Sequence, residues 1–349
     1  MNRGIKMSSV MFADGSLIQE FGKPYIIAEV NSSHNGNIEI AKQMIDAAVE
    51  SGCNCVKFQS WSAQSLYSRT YYRSNPIAKR FVDKLSLTSE DLKKMALYCK
   101  EKGIGFSSTP YSREEVDFLA EECEVPFIKI SSMEINNPEY IRYISEKQIP
   151  IVISTGMAEY EEVKEAVRII EESGNNKIAI LHCVSVYPTP VDKANLNNIL
   201  GLREIFPKYP IGYSDHTLGD AAAVTASAMG AAIIEKHITL DAKKIGMDNQ
   251  MAMEPDALKK LVEKCKTIGS ALGIKDRIVQ PEEIKQRDNM RRSIVVTKNL
   301  KAGEIITEAD LDVKRPGTGI APAKIQEIVG RKMKKDIEAD EILMESDLS

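Results

Sequence analysis

Along the first 270 or so residues, short apolar runs alternate with amphipathic stretches. The runs Tyr25–Val30, Cys55–Gln59, Gly105–Ser108, Phe127–Ile130, Ile151–Ser154, Ile178–Cys183, Pro210–Ser214 and Ile233–His237 are rich in β-branched or aromatic residues and have turn residues nearby, which predicts strands. Between them the period becomes helical. Ile38–Glu50 sets Ile38, Ala41, Met44, Ile45 and Ala48 on one stripe, and Glu159–Ser173 does the same with Val163, Ala166, Val167 and Ile170. Leu87–Lys102 opens on the N-cap candidates Thr88 and Ser89, and Pro255–Leu272 opens on a proline, whose missing N–H costs little in a first turn. Eight strand–helix units in series predict an α/β fold of the (β/α)8 TIM-barrel kind. An open doubly wound sheet is less suited, because the count reaches eight and polar residues mark nearly every strand end.

Beyond Gly273 the pattern breaks. Gln280-Pro-Glu-Glu-Ile-Lys-Gln-Arg287 is charged and Gln-rich and reads as a linker. Lys298–Leu311 and Lys335–Leu348 then align without gaps and share seven of fourteen residues. Two copies make a half-repeat inside one small domain rather than a solenoid, which needs roughly three or more. Short apolar runs with Gly and Pro turns predict a compact, mostly β module. The expected division is residues 1–275 as the barrel, 276–290 as the linker and 291–349 as the small domain.

The composition narrows the function classes. A net charge of −4 with mixed signs and no basic block leaves no electrostatic footprint for nucleic acid. No apolar run approaches the roughly 20 residues of a membrane span, and Met1 to Glu20 does not read as a signal peptide. Cys53, Cys55, Cys99, Cys123, Cys183 and Cys265 form no disulfide framework or zinc knuckle, which predicts reduced thiols and a cytoplasmic protein.

In such a barrel the chemistry gathers where the strands end. Here those ends carry Glu29, Lys57 and Gln59, Ser107-Ser-Thr109, Lys129-Ile-Ser131-Ser132-Met-Glu134, Ser154, His182 with Ser185 and Tyr187, Ser214-Asp-His216, and Glu235-Lys-His237. All four histidines of the chain, His34, His182, His216 and His237, fall at these ends. His216 and His237 end neighbouring strands, so their imidazoles can converge on one divalent metal; two imidazoles with oxygen ligands suit Mn2+, Co2+ or Zn2+, and Mg2+ less readily. Lys57 and Lys129 lie inside apolar strands, where an ammonium needs a partner. They are either buried ion pairs with Glu29, Glu134 or Glu235, or a clamp for phosphate or carboxylate, to which the hydroxyls of the strand ends would add donors. No Walker motif, dinucleotide fingerprint or Gly-x-Ser-x-Gly elbow is present.

Taken in order, Ile27-Ala-Glu29 with His34-Asn-Gly36, Val56-Lys57-Phe-Gln59, Ser108-Thr109-Pro110, Ile128-Lys129-Ile130 with Ser132 and Glu134, Ser154-Thr-Gly-Met157, Leu181-His182-Cys183 with Tyr187-Pro-Thr-Pro190, Gly212-Tyr-Ser214-Asp-His216-Thr217 and Glu235-Lys-His237 resemble the sialic acid synthase family. That family includes N-acetylneuraminate, legionaminate and pseudaminate synthases. Lys314-Arg315-Pro316-Gly317 resembles the signature of its C-terminal antifreeze-like (SAF) domain. The resemblance implies a barrel joined to a SAF domain in a domain-swapped homodimer, and a condensation of phosphoenolpyruvate with an N-acetylated aminosugar. It implies a divalent metal on His216 and His237, with Mn2+ expected before Mg2+ or Co2+. Lys57, Gln59, Thr109, Lys129, Ser132, Ser154 and Ser214 would bind phosphoenolpyruvate. Glu29, Tyr187, Asp248 and Arg315 would contact the sugar, with Arg315 reaching it from the partner subunit. Glu235 joins the substrate-contacting set, and Glu134 is expected to handle a proton or activate water. The chain departs from the family at Asn31 and Ser33, where Gly and Asn are usual, at Ser185, where many members have Asn, and in the acceptor loop Ile245-Gly-Met-Asp248-Asn-Gln-Met-Ala-Met253. Two alternatives remain at this point: a synthase of another 3-deoxy-2-keto sugar acid, and a non-catalytic carbohydrate- or ice-binding protein.

Overall fold

A computed structural model describes residues 8–244 and 246–349. Residues 1–7 of the N-terminal segment and Ile245 of the acceptor loop lie outside the described residues. The chain divides into two compact units, Met1–Gly273 and Ile274–Ser349.

The first unit is built on eight parallel strands: β1 Tyr25–Glu29, β2 Cys55–Gln59, β3 Gly105–Thr109, β4 Ile128–Ile130, β5 Ile151–Ser154, β6 Ile178–Cys183, β7 Ile211–Asp215 and β8 Ile233–His237. They follow one another in the sheet in sequence order, and β8 returns to pair with β1, with His237 opposite Glu29. Seven of the eight seams are backbone ladders among the described residues. At the β3–β4 seam Ser107 Oγ donates to the Phe127 carbonyl at 2.8 Å. This is a (β/α)8 barrel.

Strand periodicity sorts the side chains. Ile26, Ala28, Val56, Phe58, Ile128, Ile130, Ile151, Ile153, Ile211, Tyr213 and Ile234 pack in the core between sheet and helices. The alternate positions turn into the barrel. Its lower part is filled by Tyr25, Ile27, Cys55, Phe127, Val152, Leu181 and Ile233, together with Val10, Phe12 and Ile18 from a hairpin of Ser9–Met11 and Leu17–Gln19. The barrel is thus a packed core and not a pore. Continuing the same inward parity up the strands gives Glu29, Lys57, Gln59, Thr109, Lys129, Ser154, Cys183, Ser214, Glu235 and His237.

The second unit begins with a helix, Pro281–Met290, capped by a Gln280/Glu283 box, where the sequence reads as a linker. This helix packs its C-terminal end against the turn after Arg315: the Gly317 N–H donates to the Asp288 carbonyl at 2.7 Å, and a Cβ on Gly317 would stand 2.7 Å from Arg291 Cβ. Strands β9 Ser293–Val296 and β10 Leu311–Lys314 pair antiparallel. The half-repeat is a pseudo-two-fold. Leu300 and Ile337, equivalent positions of the two copies, exchange both backbone hydrogen bonds at 3.0 and 2.9 Å. Lys298 pairs with Asp310 at 2.7 Å and Lys335 with Asp347 at 2.9 Å, and each aspartate closes a capping box. Between the copies lies an aliphatic core including Ile294, Val296, Ile306, Met333 and Leu343.

Asp310 is 4 % exposed, and the Lys298 ammonium with the Thr307 N–H and hydroxyl holds its carboxyl down at about 2. Its folded value lies below the unfolded one, so its stabilisation is complete above about pH 4 and is lost as the pH falls through 2. Its expected size is about 2 kcal/mol. Asp310→Asn should lower the melting temperature at pH 6 and flatten the acid limb between pH 4 and 2; an unchanged acid limb by circular dichroism would contradict this.

Candidate active site

Above the packed layers the barrel opens into a cavity of about 350 Å3 at the C-terminal ends of the strands. Lys57 and Lys129, 3 % exposed each, stand in it from β2 and β4. Lys57 Nζ lies 2.5 Å from Glu29 Oε2 and 3.8 Å from Glu235 Oε2, and donates to Thr109 Oγ1 at 3.1 Å. Lys129 Nζ lies 4.0 Å from the same Glu235 oxygen and donates to Ser154 Oγ at 2.6 Å. Ser214 Oγ donates to Glu235 Oε1 at 2.9 Å. Two ammonium groups and two carboxylates thus form one chain across the barrel. Dry surroundings make each charge expensive alone, and mutual pairing offsets that cost.

Their protonation follows from position. Burial and the neighbouring Glu235 raise Glu29 to about 7, against the pull of Lys57. Burial would raise Glu235 too, but Lys129 and Lys57 bring it below the usual range. Burial and the neighbouring Lys57 lower Lys129, although Glu235 opposes them. The Oε2 atoms of both glutamates are buried without a hydrogen-bond partner beyond these ion pairs, so the site keeps acceptor capacity.

Gln59 is fixed by three bonds. Its Oε1 accepts from Trp61 Nε1 at 2.8 Å and Tyr111 OH at 3.1 Å, which turns its Nε2 to Glu29 Oε1 at 3.0 Å. On the β4–β6 side, Ser132 Oγ accepts from the Gly156 N–H at 2.9 Å and lies 3.8 Å from Cys183 Sγ. A Cβ on Gly156 would collide with Ser185 Oγ and come within 2.8 Å of Ser132 Oγ, so a larger residue there would push these hydroxyls out of the cradle.

His216 and His237 face the same cavity with ring centroids 5.3 Å apart, and Tyr187 packs against His216 at 4.3 Å. His216 Nδ1 bonds the Val184 carbonyl at 2.9 Å, leaving Nε2 as its free nitrogen, as is usual for metal-binding imidazoles. Burial keeps His237 well below the ordinary histidine range, so it is neutral and its lone pair is available. Asp248 Oδ2 is 3.7 Å from His237 Nδ1, and burial raises that carboxyl to about 6. Among the described residues no three His, Cys, Asp or Glu side chains form a ready ligand set. The donor chemistry fits a divalent cation held by two imidazoles, with its other positions left to substrate and water.

The other two histidines of the chain lie elsewhere. His182 has outward parity: it bonds the Ala194 carbonyl at 2.7 Å and stacks on Tyr213. His34 is buried in the turn after β1, where its Nδ1 accepts from the Gly36 N–H at 3.0 Å. Glu134 is on a short 3-10 helix, Ser132–Glu134; its carboxylate accepts from Asn137 at 3.0 Å and is not part of the cavity wall. The carboxylates that face the cavity centre are Glu29 and Glu235. Arg315 is exposed in the second unit, at the end of β10.

The wall also contains residues to which the sequence alone assigned no role in the site. Trp61, Leu66, Tyr67 and Tyr111 make an aromatic and apolar side, and Asn31, Met133, Met157, Cys183 and Met247 complete the rim. A usable signal existed for Trp61, the single tryptophan, two residues after Gln59. Behind the wall, Lys236 donates to Asp215 Oδ2 at 2.7 Å and to the Thr217 carbonyl at 2.6 Å, both ions fully buried. This pair staples β7 to β8 immediately before the two histidines.

A parallel barrel with its reactive side chains gathered at the C-terminal rim is the architecture of a (β/α)8 enzyme. The chain belongs to the NeuB family, whose profile matches residues 44–277, and a SAF domain profile matches residues 291–349. It is 36 % identical over 334 residues to the N,N'-diacetyllegionaminic acid synthase of Campylobacter jejuni, covering 93 % of this chain and 99 % of the relative. To the N-acetylneuraminate-9-phosphate synthase of Mus musculus it is 33 % identical over 330 residues, 92 % of this chain and 91 % of the relative. The crystal structure of the N-acetylneuraminic acid synthetase of Leptospira borgpetersenii in complex with citrate superposes with a TM-score of 0.74 at 31 % identity, over 81 % of this chain and 98 % of that one. The chain is accordingly a sialic-acid-synthase-like enzyme.

Proposed function

We propose that the enzyme condenses phosphoenolpyruvate with the open-chain aldehyde of an N-acetylated aminosugar, such as N-acetylmannosamine, to give a nonulosonic acid and inorganic phosphate. The observation that supports this most is the buried Lys57–Glu29–Glu235–Lys129 chain in one cavity with two imidazoles. Lys57 and Lys129 bind the phosphate and carboxylate of phosphoenolpyruvate. Thr109, Ser132, Ser154, Ser185, Ser214, the Gln59 amide and the Gly156 cradle orient them. The methylene carbon of the enol then bonds to the aldehyde carbon. As positive charge develops at the enol carbon, Glu29 and Glu235 stabilise it from their fixed positions. Water adds to that carbon, and phosphate leaves with cleavage of its C–O bond. Glu29, with a pKa near neutrality, is placed to take a proton from that water, which balances the proton that the former aldehyde oxygen takes up as it becomes a hydroxyl. When bound, a divalent metal on His216 and His237, Mn2+ before Mg2+ or Co2+, supplies Lewis-acid polarisation of the aldehyde. Glu29, Tyr187, Asp248 and Arg315 contact the sugar, Arg315 from the partner subunit of a domain-swapped homodimer.

Among the described residues no helix is long and apolar enough to cross a membrane. All six cysteines are free thiols, which supports a reducing, cytoplasmic setting. The relatives differ in whether their named products are phosphorylated, so the deciding experiment is a panel. N-acetylmannosamine, its 6-phosphate and 2,4-diacetamido hexoses are each incubated with phosphoenolpyruvate and Mn2+, with product mass and phosphate release as readouts. Release of phosphate without a new carbon–carbon bonded product in every arm would sink the proposal.

A further inference from the structure

Asn31 follows β1 in a left-handed conformation, φ 45°, which costs strain for a residue with a Cβ. It is 7 % exposed, lines the cavity, and its Oδ1 is buried without a hydrogen-bond partner. A buried carbonyl with no partner is costly, so a strained residue holding one at a cavity wall points to a missing partner. The turn that carries it is firmly tied. The Val30 N–H donates to the Lys57 carbonyl at 2.8 Å, the Ser33 N–H to the Val30 carbonyl at 3.0 Å, and Ser33 Oγ to Asn249 Oδ1 at 2.9 Å. The last bond joins Asn31's turn to the loop of Met247 and Asp248, which line the same cavity. Lys129 and Ser154 come from β4 and β5, and Ser132 from the 3-10 turn after β4, across the barrel from β1 and β8.

The chemistry of Oδ1 narrows its partner. It only accepts, and ionised phosphoenolpyruvate has no N–H or O–H to donate. Of the two substrates only the sugar carries donors. We infer that Asn31 is a specificity-determining contact for the acceptor, its Oδ1 accepting a hydrogen bond from the acylamino N–H of the sugar. This rests on the functional reading above and names which part of the sugar the β1–β8 side recognises.

Asn31→Gly tests it, because glycine tolerates the left-handed backbone and removes only the amide. The variant should melt no lower than wild type. Its KM for N-acetylmannosamine should rise about 10-fold or more, as loss of a hydrogen bond to a buried polar group implies, with KM for phosphoenolpyruvate unchanged. With mannose, which has a hydroxyl in place of the acylamino group, wild type and variant should perform alike. An unchanged KM for the acylated sugar, an equal rise for mannose, or an equal rise for phosphoenolpyruvate would each overturn the assignment. A wild-type enzyme that turns over no N-acylated hexosamine at all would instead overturn the functional reading, and the inference with it.

Discussion

Lys57→Met protein is expected to lose turnover by about 10^2- to 10^3-fold and stability by roughly 3–5 kcal/mol. Both losses come from the same geometry. Lys57 Nζ sits between Glu29 Oε2 at 2.5 Å and Glu235 Oε2 at 3.8 Å, with all three side chains almost wholly buried. Without the ammonium, two carboxylates share a dry space and only Lys129, 4.0 Å from Glu235, opposes them. Glu29, already raised to about 7, must then ionise against Glu235 alone, so the instability should be greatest above neutral pH. The double variant Lys57→Met/Glu29→Gln separates the two roles that the sequence leaves open. Removing the unpaired charge should restore most of the melting temperature, while phosphoenolpyruvate binding should stay weak if Lys57 holds the substrate anion; wild-type affinity for phosphoenolpyruvate would make Lys57 a neutralising partner only. Calorimetric titration with phosphoenolpyruvate supplies the independent check, since the double variant should bind it at least 10-fold more weakly.

His237→Ala should abolish turnover with little change in melting temperature, and should weaken Mn2+ binding by two orders of magnitude or more. The ring ends β8 at the cavity wall, has no hydrogen bond that the fold depends on, and is held neutral by burial, so its main physical asset is a free lone pair. Mn2+ titration by calorimetry, done without substrates, reads the metal role directly; affinity equal to wild type would refute it whatever happens to activity. Burial would lower His216, but Cys183 and the Val184 carbonyl raise it, so a metal must displace its proton and metal affinity should rise with pH.

The eight strands and their order were legible because each is short, apolar and β-branched, and the period of two also carried the site. Glu29, Lys57, Lys129, Ser154, Ser214, Glu235 and His237 share inward parity with the core residues below them, so a strand register alone puts them in one barrel. The same rule explains where position at a strand end was too coarse a guide. His182 precedes the inward Cys183 and therefore turns to the helices, and Lys236 and Asp215 turn outward to pair behind the site. The half-repeat was visible as seven shared residues, but only folding showed that Leu300 and Ile337 meet across a pseudo-two-fold. Helix Pro281–Met290 read as a linker because its sequence is charged all round and buries no side chain; its place comes from backbone contacts that no apolar pattern announces.

Sequence by itself determined which groups could enter the barrel, because side-chain alternation on a strand is fixed by the backbone. Tertiary structure alone decided which of them meet. Distances such as 2.5 Å from Lys57 to Glu29 or 5.3 Å between the imidazoles depend on how the strands are staggered around the ring. So does the position of the wall residues Asn31, Trp61 and Tyr111, which come from loops whose paths no local periodicity encodes.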